Sequence, residues 1–294
     1  MTPVIDLLPP HRKDLGGGLL VRRLLPAPAP ARQAVGPFVF FDHFGPLVTR
    51  PGDNHDVRPH PHIGLATVTY LFAGAVMHRD SLGSAQRIEP GAINWMNAGR
   101  GIVHSERAPE DLRGTTYTAH GLQLWAALPR DCEDSEPAFR HTPAAAIPEF
   151  DAAGAKVRVL VGAAFGRRSP VQTFADTLYL DVDAAAQSEL ALPAAEDRPQ
   201  QERAVYSVDR PLRIDGVEVP AHTLAVLAPG AAARIEAPAG ARYVVVGGEP
   251  LDGHRVIWWN FVASSRERIE AAKDAWRQQR MGAVPGEQEF IPLP

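Results

Sequence analysis

The chain has a single cysteine, Cys132, among its 294 residues. One thiol excludes an internal disulfide and any metal site built from several thiolates, and it is consistent with a reducing compartment. An excess of basic charge is also lacking, since 30 lysines and arginines stand against 34 acidic residues, for a formal net charge of -4. This balance disfavours direct binding to nucleic acid, whose phosphates attract strongly basic surfaces.

Long apolar segments are absent as well. No run approaches the roughly 20 residues that a membrane helix requires, and the first residues lack the basic and apolar segments of a secretory signal. We therefore expect a cytoplasmic protein that does not enter membranes. Lysine is scarce beside arginine, and together with abundant alanine and proline this composition is typical of GC-rich bacterial coding.

The sequence instead contains many short, strand-like apolar segments separated by glycine, proline and aspartate. The clearest of these segments are 38–41, 65–72, 92–96, 121–126, 157–161, 177–182, 224–227 and 242–246. A hairpin is predicted over 213–219, because Asp215-Gly216 suits a type I′ turn between alternating apolar residues. This pattern favours an all-β protein built from sandwiches or barrels.

One helix is predicted near the C-terminus. Ser264 and Glu267 have the spacing of a capping box, and Ile269, Ala272 and Trp276 then recur on one face. We expect this short helix to pack by its apolar face on a β-sandwich rather than to bind a partner.

A stretch with little strand character, 129–149, is rich in proline, acidic residues and alanine. We interpret it as a linker between two β domains. The predicted domains are residues 1–135 and residues 136–294.

Two short motifs carry side chains that bind metal ions. His60 and His62 are separated by one residue, and so are His104 and Glu106. On a β-strand this spacing places both side chains of a pair on one face. Two facing strands could therefore hold one divalent transition metal through three imidazoles and a carboxylate. A single pair would be better explained as ordinary hydrogen-bonded residues, but the repeat favours a metal site.

Such a site would leave open positions. Four protein ligands on a six-coordinate ion leave about two positions for water, oxygen or substrate, and an open position distinguishes catalytic from structural metal sites. Three neutral imidazoles, one carboxylate and a divalent ion carry net positive charge. The expected partners are therefore O2 and a small aromatic or enolate substrate that binds through an anionic oxygen.

The motifs lie within distinctive segments: RPHPHIGLATVTYLFAG, HRDSLGS, IEPGAINWMNAGRGIVHSE, FVFFDHFGP, GLQLWAALP and WWNFVASSRERIEAAKDAW. Together these segments resemble the pirin family of the cupin superfamily. The resemblance implies a bicupin, with two tandem cupin β-sandwich barrels and the metal in the N-terminal one. The second domain has His222 and His254 but no His-x-His pair and no matched carboxylate, so we expect no metal there.

The resemblance also implies a ligand set and an activity. Its metal ligands correspond to His60, His62, His104 and Glu106, and the implied ion is Fe(II), with Mn, Co, Ni, Cu or Zn as alternatives. The implied activity is that of quercetin 2,3-dioxygenase, which opens flavonols with O2 and releases carbon monoxide. We expect Glu106 then to act also as general base for the substrate hydroxyl.

Two other functions remain open at this point. Some pirins act through protein partners, so a metal-dependent regulatory protein without turnover is the first alternative. The second is a cupin whose metal only stabilises the fold.

The sequence departs from the common pirin pattern at two positions. Many pirins have arginine after the first motif and glutamate three residues later, where this chain has Ile63 and Ala66. The first change is expected to remove a charge beside the site. His78 and Asp80 are interpreted as part of a strand with a polar bend, with hydrogen bonding to a ligand imidazole as the alternative.

Overall fold

The computed structural model describes residues 2–16, 18–28 and 32–294. The strands up to residue 142 are β1 (Val4–Leu8), β2 (His11–Asp14), β3 (Leu20–Leu25), β4 (Phe38–Thr49), β5 (Val57–His62), β6 (Leu65–Ala73), β7 (Val76–Asp80), β8 (Ala85–Ile88), β9 (Ile93–Asn97), β10 (Ile102–Arg107), β11 (Tyr117–Ala127) and β12 (Ala138–Thr142). The later strands are β13 (Glu149–Ala152), β14 (Ala155–Val161), β15 (Ala163–Ala164), β16 (Arg167–Arg168), β17 (Thr177–Ala184), β18 (Ser188–Leu192), β19 (Glu202–Ser207), β20 (Leu212–Ile214), β21 (Val217–Val219), β22 (Leu224–Leu227), β23 (Ala233–Ala237), β24 (Ala241–Gly248), β25 (Val256–Trp258) and β26 (Phe261–Ala263).

Helical structure is limited. The α-helix α1 spans Arg266–Arg277, and short 3-10 turns occupy Glu110–Leu112, Arg130–Cys132 and Ala144–Ala146. Within the described ranges, none of the helices has the length and apolar character needed to cross a membrane.

The chain forms two compact units that interleave along the sequence. The histidine unit contains Lys13–Val21, Asp42–Ala144 and Leu251–Pro294. The apolar unit contains Met1–Arg12, Arg22–Phe41 and Ala145–Pro250. These bounds differ from a tandem division at residue 135, because the last 44 residues return to the unit that carries both metal motifs.

The apolar unit is a β-sandwich. One sheet has the strand order β1-β22-β19-β24-β17-β14-β13 and the other the order β18-β23-β20-β21. Inward-facing residues of both sheets, such as Val182, Val205 and Ile235, form one buried cluster. The predicted hairpin is present as β20 and β21, with positive φ at Asp215 (45°) and Gly216 (84°).

The strands of the histidine unit belong to two sheets, with orders β5-β10-β7-β8 and β12-β9-β6-β11-β4-β3-β2. The prediction of a linker over 129–149 is wrong for β12, which pairs with β9 in antiparallel register. The physical reason is burial, since Phe139 packs against a cluster of Met96, Ala98 and Ile102.

The helix α1 packs on the histidine unit as predicted. Its buried residues Ile269, Ala272 and Trp276 share an apolar cluster with Ile63 and Val103, which adjoin the two metal motifs. The C-terminal helix thus lies against the strands that carry the candidate ligands.

The cap of α1 differs from the prediction by one residue. Ser265 is the N-cap, and its side chain accepts a hydrogen bond from the backbone N–H of Arg268 at 3.4 Å. The neighbouring hydroxyl of Ser264 instead donates to Glu133 at 2.8 Å. A tertiary contact therefore decides which of the two adjacent serines caps the helix.

Gly64 forms the sharp turn that follows β5. Its φ is +66°, and a Cβ at this position would lie 2.0 Å from the carbonyl oxygen of Val262. Only a glycine permits this close approach of two backbones. The preceding residue, Ile63, forms a parallel bridge with Phe261, so the C-terminal segment lies directly on the end of β5.

Candidate metal centre

The two motifs lie on adjacent antiparallel strands. His104 of β10 lies directly opposite His60 of β5, and Ile102 lies opposite His62. Residues that face each other across a strand pair point to the same side of the sheet. The prediction that both motifs lie on β-strands is therefore confirmed, and the register brings the three histidines to one face of the sheet.

The three imidazoles form a compact buried group. One ring nitrogen from each of His60, His62 and His104 lies within 4.8 Å of the others, and the three residues are 6%, 1% and 1% exposed. The Nε2 atoms of His62 and His104 are 3.1 Å apart. Two nitrogens that bind one ion at right angles, each about 2.1 Å from it, would be about 3.0 Å apart, so this separation fits shared coordination.

Backbone carbonyls set the orientation of two of these rings. Nδ1 of His60 is 2.9 Å from the carbonyl oxygen of Arg58, and Nδ1 of His62 is 3.0 Å from that of Asn260. Because a carbonyl only accepts, each Nδ1 carries the proton and each Nε2 offers a lone pair. For His62 this nitrogen lies 3.1 Å from Nε2 of His104, as shared coordination of a metal ion requires.

Burial keeps the imidazoles neutral. Desolvation lowers the pKa of His60 to about 4 and holds the pKa values of His62 and His104 well below the ordinary histidine value of 6.5. Neutral imidazole is the form that binds first-row divalent metals. The donor set therefore fits a resident metal ion.

Glu106 stands apart from this close group. Its side chain is half-buried. Glu106 lies opposite His78 where β10 pairs with β7. Where β10 pairs with β5, a register shift after His104 places Glu106 opposite Val57. Burial raises the pKa of Glu106, although the neighbouring His78 and a hydrogen bond from Thr69 act to lower it. The close group consists of the three histidines, and the role of Glu106 as a fourth ligand stays a prediction.

His78 and Asp80 continue the polar face of β10 onto β7. Nδ1 of His78 lies 3.4 Å from Nδ1 of His104, and Nε2 of His78 lies 2.9 Å from Oδ2 of Asp80. The other oxygen of Asp80 accepts the backbone N–H groups of Leu82 and Ser84 at 2.9 and 3.0 Å. Hydrogen bonding to a ligand imidazole, the alternative interpretation of His78, thus agrees with the structure.

The pKa of Asp80 reflects this setting. Burial acts to raise the pKa, but hydrogen bonds from His78 and Ser84 outweigh it, so that the pKa lies below the ordinary aspartate value.

Aromatic rings restrict the imidazoles. The Trp125 ring lies 5.2 Å from that of His62, edge to face, and Phe139 stacks on His78 at 4.1 Å with an interplanar angle of 8°. Trp125 is 7% exposed, so it is part of the buried interior as well as a neighbour of the site.

The two departures from the common pirin pattern have a structural explanation. Ile63 is 6% exposed and packs in the apolar cluster with Trp276, not among the histidines, and Ala66 is fully buried in β6. The side chain of Ile63 therefore belongs to the same apolar cluster as α1, and the expected loss of a charge beside the site stays a prediction.

One supporting group could not be found from the sequence. Asn260 holds the ring of His62 from a position 198 residues away. It acts through its backbone carbonyl, and its side chain therefore gives no signal of this role.

The fold and the histidine group define the class of protein. Two β-sandwich units, one with a buried cluster of histidines on adjacent strands, are the architecture of a bicupin. The Pirin family model matches residues 18–126, and the model described as "Pirin C-terminal cupin domain" matches residues 179–282. The chain belongs to the pirin family, as the sequence motifs predicted.

Similar proteins extend over nearly the whole chain. A "Pirin-like protein" of Caulobacter vibrioides is 43% identical, with 99% of this chain and 100% of the relative covered. A Pseudomonas aeruginosa protein provisionally named a quercetin 2,3-dioxygenase is 37% identical, with 90% and 81% covered. The crystal structure of a quercetin 2,3-dioxygenase from Acinetobacter baumannii superposes with a TM-score of 0.91 at 34% identity, covering 99% of this chain and 95% of that one.

Proposed function

We propose that this chain is a metal-dependent dioxygenase of the quercetin 2,3-dioxygenase type, which opens flavonol-like substrates with O2. The observation that carries the proposal is the buried group of His60, His62 and His104, whose nitrogens converge within 4.8 Å. The names of the Pseudomonas and Acinetobacter relatives support the same reaction class.

The proposed ion is Fe(II), and the nitrogen donors would also accept Mn, Co, Ni, Cu or Zn. His60, His62 and His104 would hold it, with Glu106 as the proposed fourth ligand. When bound, the ion supplies a Lewis acid with open positions for a substrate oxygen and for O2.

The chain's own residues supply a base and a dry environment. Glu106 follows the histidine group on β10 and can take the proton of the substrate hydroxyl on a carboxylate oxygen. Trp125 covers His62 from the interior, which helps to keep water from the reacting oxygen. Both atoms of O2 enter the products, a ring-opened ester and carbon monoxide, so that no external reductant is required.

The test begins with metal-free protein, loaded anaerobically with Fe, Mn, Co, Ni or Cu and mixed with quercetin before air is admitted. We expect the flavonol absorbance to fall and carbon monoxide to form with at least one metal. The variant His104→Ala should lose both metal and turnover. The matched control is His141→Ala, because the His141 ring is hydrogen-bonded to Asn94 and lies outside the histidine group. This variant should keep both the metal and the turnover.

Persistence of the flavonol with every metal would overturn the dioxygenase proposal. The regulatory alternative would then be examined by comparing the partners that metal-loaded and metal-free protein recover. Equal recovery by the two forms would exclude a metal-dependent regulatory surface.

A further inference from the structure

We propose that His78 and Asp80 are positioning residues that hold His104 in the tautomer able to bind the metal ion. This inference rests on the metal site of the proposed function, but not on the dioxygenase reaction. It assigns to β7 a role in building a site whose ligands lie on β5 and β10.

The positions of the protons follow from Asp80. One of its oxygens is occupied by two backbone donors, the N–H groups of Leu82 and Ser84, and the other faces Nε2 of His78 at 2.9 Å. A carboxylate only accepts hydrogen bonds. The contact with His78 therefore requires a proton on Nε2 of His78, and in the neutral ring this leaves a lone pair on Nδ1.

The lone pair of His78 in turn determines the tautomer of His104. The two Nδ1 atoms are 3.4 Å apart, a long hydrogen bond in which His104 must be the donor. With its proton on Nδ1, His104 has a lone pair on Nε2, which lies 3.1 Å from Nε2 of His62. The pair thus directs the lone pair of His104 toward Nε2 of His62, inside the group of three histidines.

His104 differs from its two partners in one respect. Backbone carbonyls fix Nδ1 of His60 and of His62, and no side-chain substitution removes these acceptors. Nδ1 of His104 faces a side chain instead, so its tautomer can be changed by mutation.

The supporting residues have little freedom to move. His78 is 4% and Asp80 is 0% exposed, and Phe139 stacks on the His78 ring at 4.1 Å. The register also places Asp80 directly opposite His104, on a strand paired with β10. The arrangement is therefore built into the sheet.

The substitution Asp80→Asn should reverse the whole series of hydrogen bonds. Because the two backbone N–H groups need an acceptor, the amide oxygen will face Leu82 and Ser84, and the amide NH2 will face His78. His78 must then accept on Nε2 and donate from Nδ1. His104 is left with its proton on Nε2, the atom that should bind the metal.

Tautomers are measured directly by long-range 1H–15N NMR of metal-free protein labelled with 15N-histidine. We expect the proton of His104 on Nδ1 in the wild type and on Nε2 in Asp80→Asn. Titration with Co(II) should show an affinity lower by about 10- to 100-fold, the usual effect of removing a hydrogen-bond partner of a ligand.

Two further variants separate positioning from stability. His78→Gln keeps an acceptor toward His104 and a donor toward Asp80, so it should retain most of the Co(II) affinity, whereas His78→Leu should lose it. Asp181→Asn removes another buried carboxylate, one paired with Arg242 in the apolar unit. It should lower the melting temperature without changing the tautomer of His104.

An unchanged His104 tautomer and unchanged Co(II) affinity in Asp80→Asn would overturn the inference. A lower melting temperature with both of these unchanged would assign Asp80 a structural role only. Neither measurement uses substrate or O2, and the outcome is therefore independent of whether the chain opens flavonols.

Discussion

Glu287 accepts a hydrogen bond from the hydroxyl of Ser105 at 2.6 Å, although 182 residues separate the two in the sequence. Ser105 is fully buried between His104 and Glu106, and its side chain points to the opposite face of β10. Glu287 also accepts hydrogen bonds from Arg107 at 3.0 and 2.5 Å. The C-terminal segment therefore holds the outer face of a strand that carries candidate metal ligands on its inner face.

The C-terminal segment also contacts β5. The backbone N–H of Ile291 donates to the carbonyl oxygen of Pro59 at 2.8 Å, next to His60. The indole N–H of Trp276 donates to the carbonyl of Ile291 at 3.0 Å, which ties the segment to α1. Both strands that carry candidate metal ligands thus contact the C-terminal segment.

The variant Glu287→Ala is expected to destabilise the histidine unit. It removes three charge-assisted hydrogen bonds and leaves the Ser105 hydroxyl without this acceptor, which should lower the free energy of unfolding by about 2–3 kcal/mol. Urea denaturation of the metal-free protein measures the change. Glu289→Ala is the matched control, because Glu289 is 53% exposed in its ion pair with Arg107 and should cost less than about 1 kcal/mol. Equal losses of unfolding free energy in Glu287→Ala and Glu289→Ala would contradict a stabilising role that is specific to Glu287.

Acid should lower the stability of the histidine unit, which contains both Asp56 and Glu287. Burial acts to raise the pKa values of Asp56 and Glu287, but hydrogen bonds from Arg113 to Asp56 and from Arg107 to Glu287 outweigh it, so both pKa values are lowered in the folded protein. The unfolded chain then binds protons more readily, and stability present at neutral pH is lost as pH falls below the ordinary values of 3.8 and 4.5.

Urea midpoints measured from pH 7 to pH 3 should fall most steeply below about pH 4.5. The double variant Asp56→Asn, Glu287→Gln should be less stable at pH 7 and show a shallower decline. An unaltered slope would show that other carboxylates cause the acid sensitivity.

A buried ion pair provides a third prediction. The side chains of Glu133 and Arg255 are each 1% exposed and lie 3.2 Å apart. Glu133→Gln should leave the Arg255 charge partly uncompensated and lower the free energy of unfolding by about 3 kcal/mol. The adjacent Asp134 pairs with Arg268 but is 75% exposed, so Asp134→Asn should cost less than about 1 kcal/mol. Thermal melts of the two variants, whose substitutions are one residue apart, make the comparison direct.

The substitution Ile63→Arg tests why this chain departs from the common pirin pattern. Because Ile63 packs with Val103 and Trp276 beneath α1, an arginine there would place a charge among apolar side chains. We expect a loss of more than about 3 kcal/mol and a helix that exchanges its amide hydrogens faster. Wild-type stability in calorimetry would mean that α1 can move away from the strand.

The histidine group could be predicted because it depends on a local rule. His60 and His62, like His104 and Glu106, follow the two-residue period of a β-strand. This period is a property of the strand itself and does not depend on contacts with distant residues. The hairpin at Asp215 and the buried face of α1 were predictable for the same reason.

The features that were missed depend on contacts between distant residues. The local pattern favours Ser264 as the cap, because Glu267 completes its capping box, but Ser264 is engaged by Glu133 and Ser265 caps the helix instead. Glu287 is one of 34 acidic residues, and nothing nearby in the sequence distinguishes it. The strand β12 has a composition typical of a loop, but burial of Phe139 makes it part of a sheet.

The position of Asn260 has a consequence for the order of events during synthesis. At about 5–20 residues per second, a ribosome needs on the order of 10–30 seconds after making His104 to reach Asn260. Until then His62 lacks the carbonyl that orients its ring. The nascent chain therefore carries all three histidines well before Asn260 can orient the ring of His62, and we expect the full group to bind a metal ion only after Asn260 has been made.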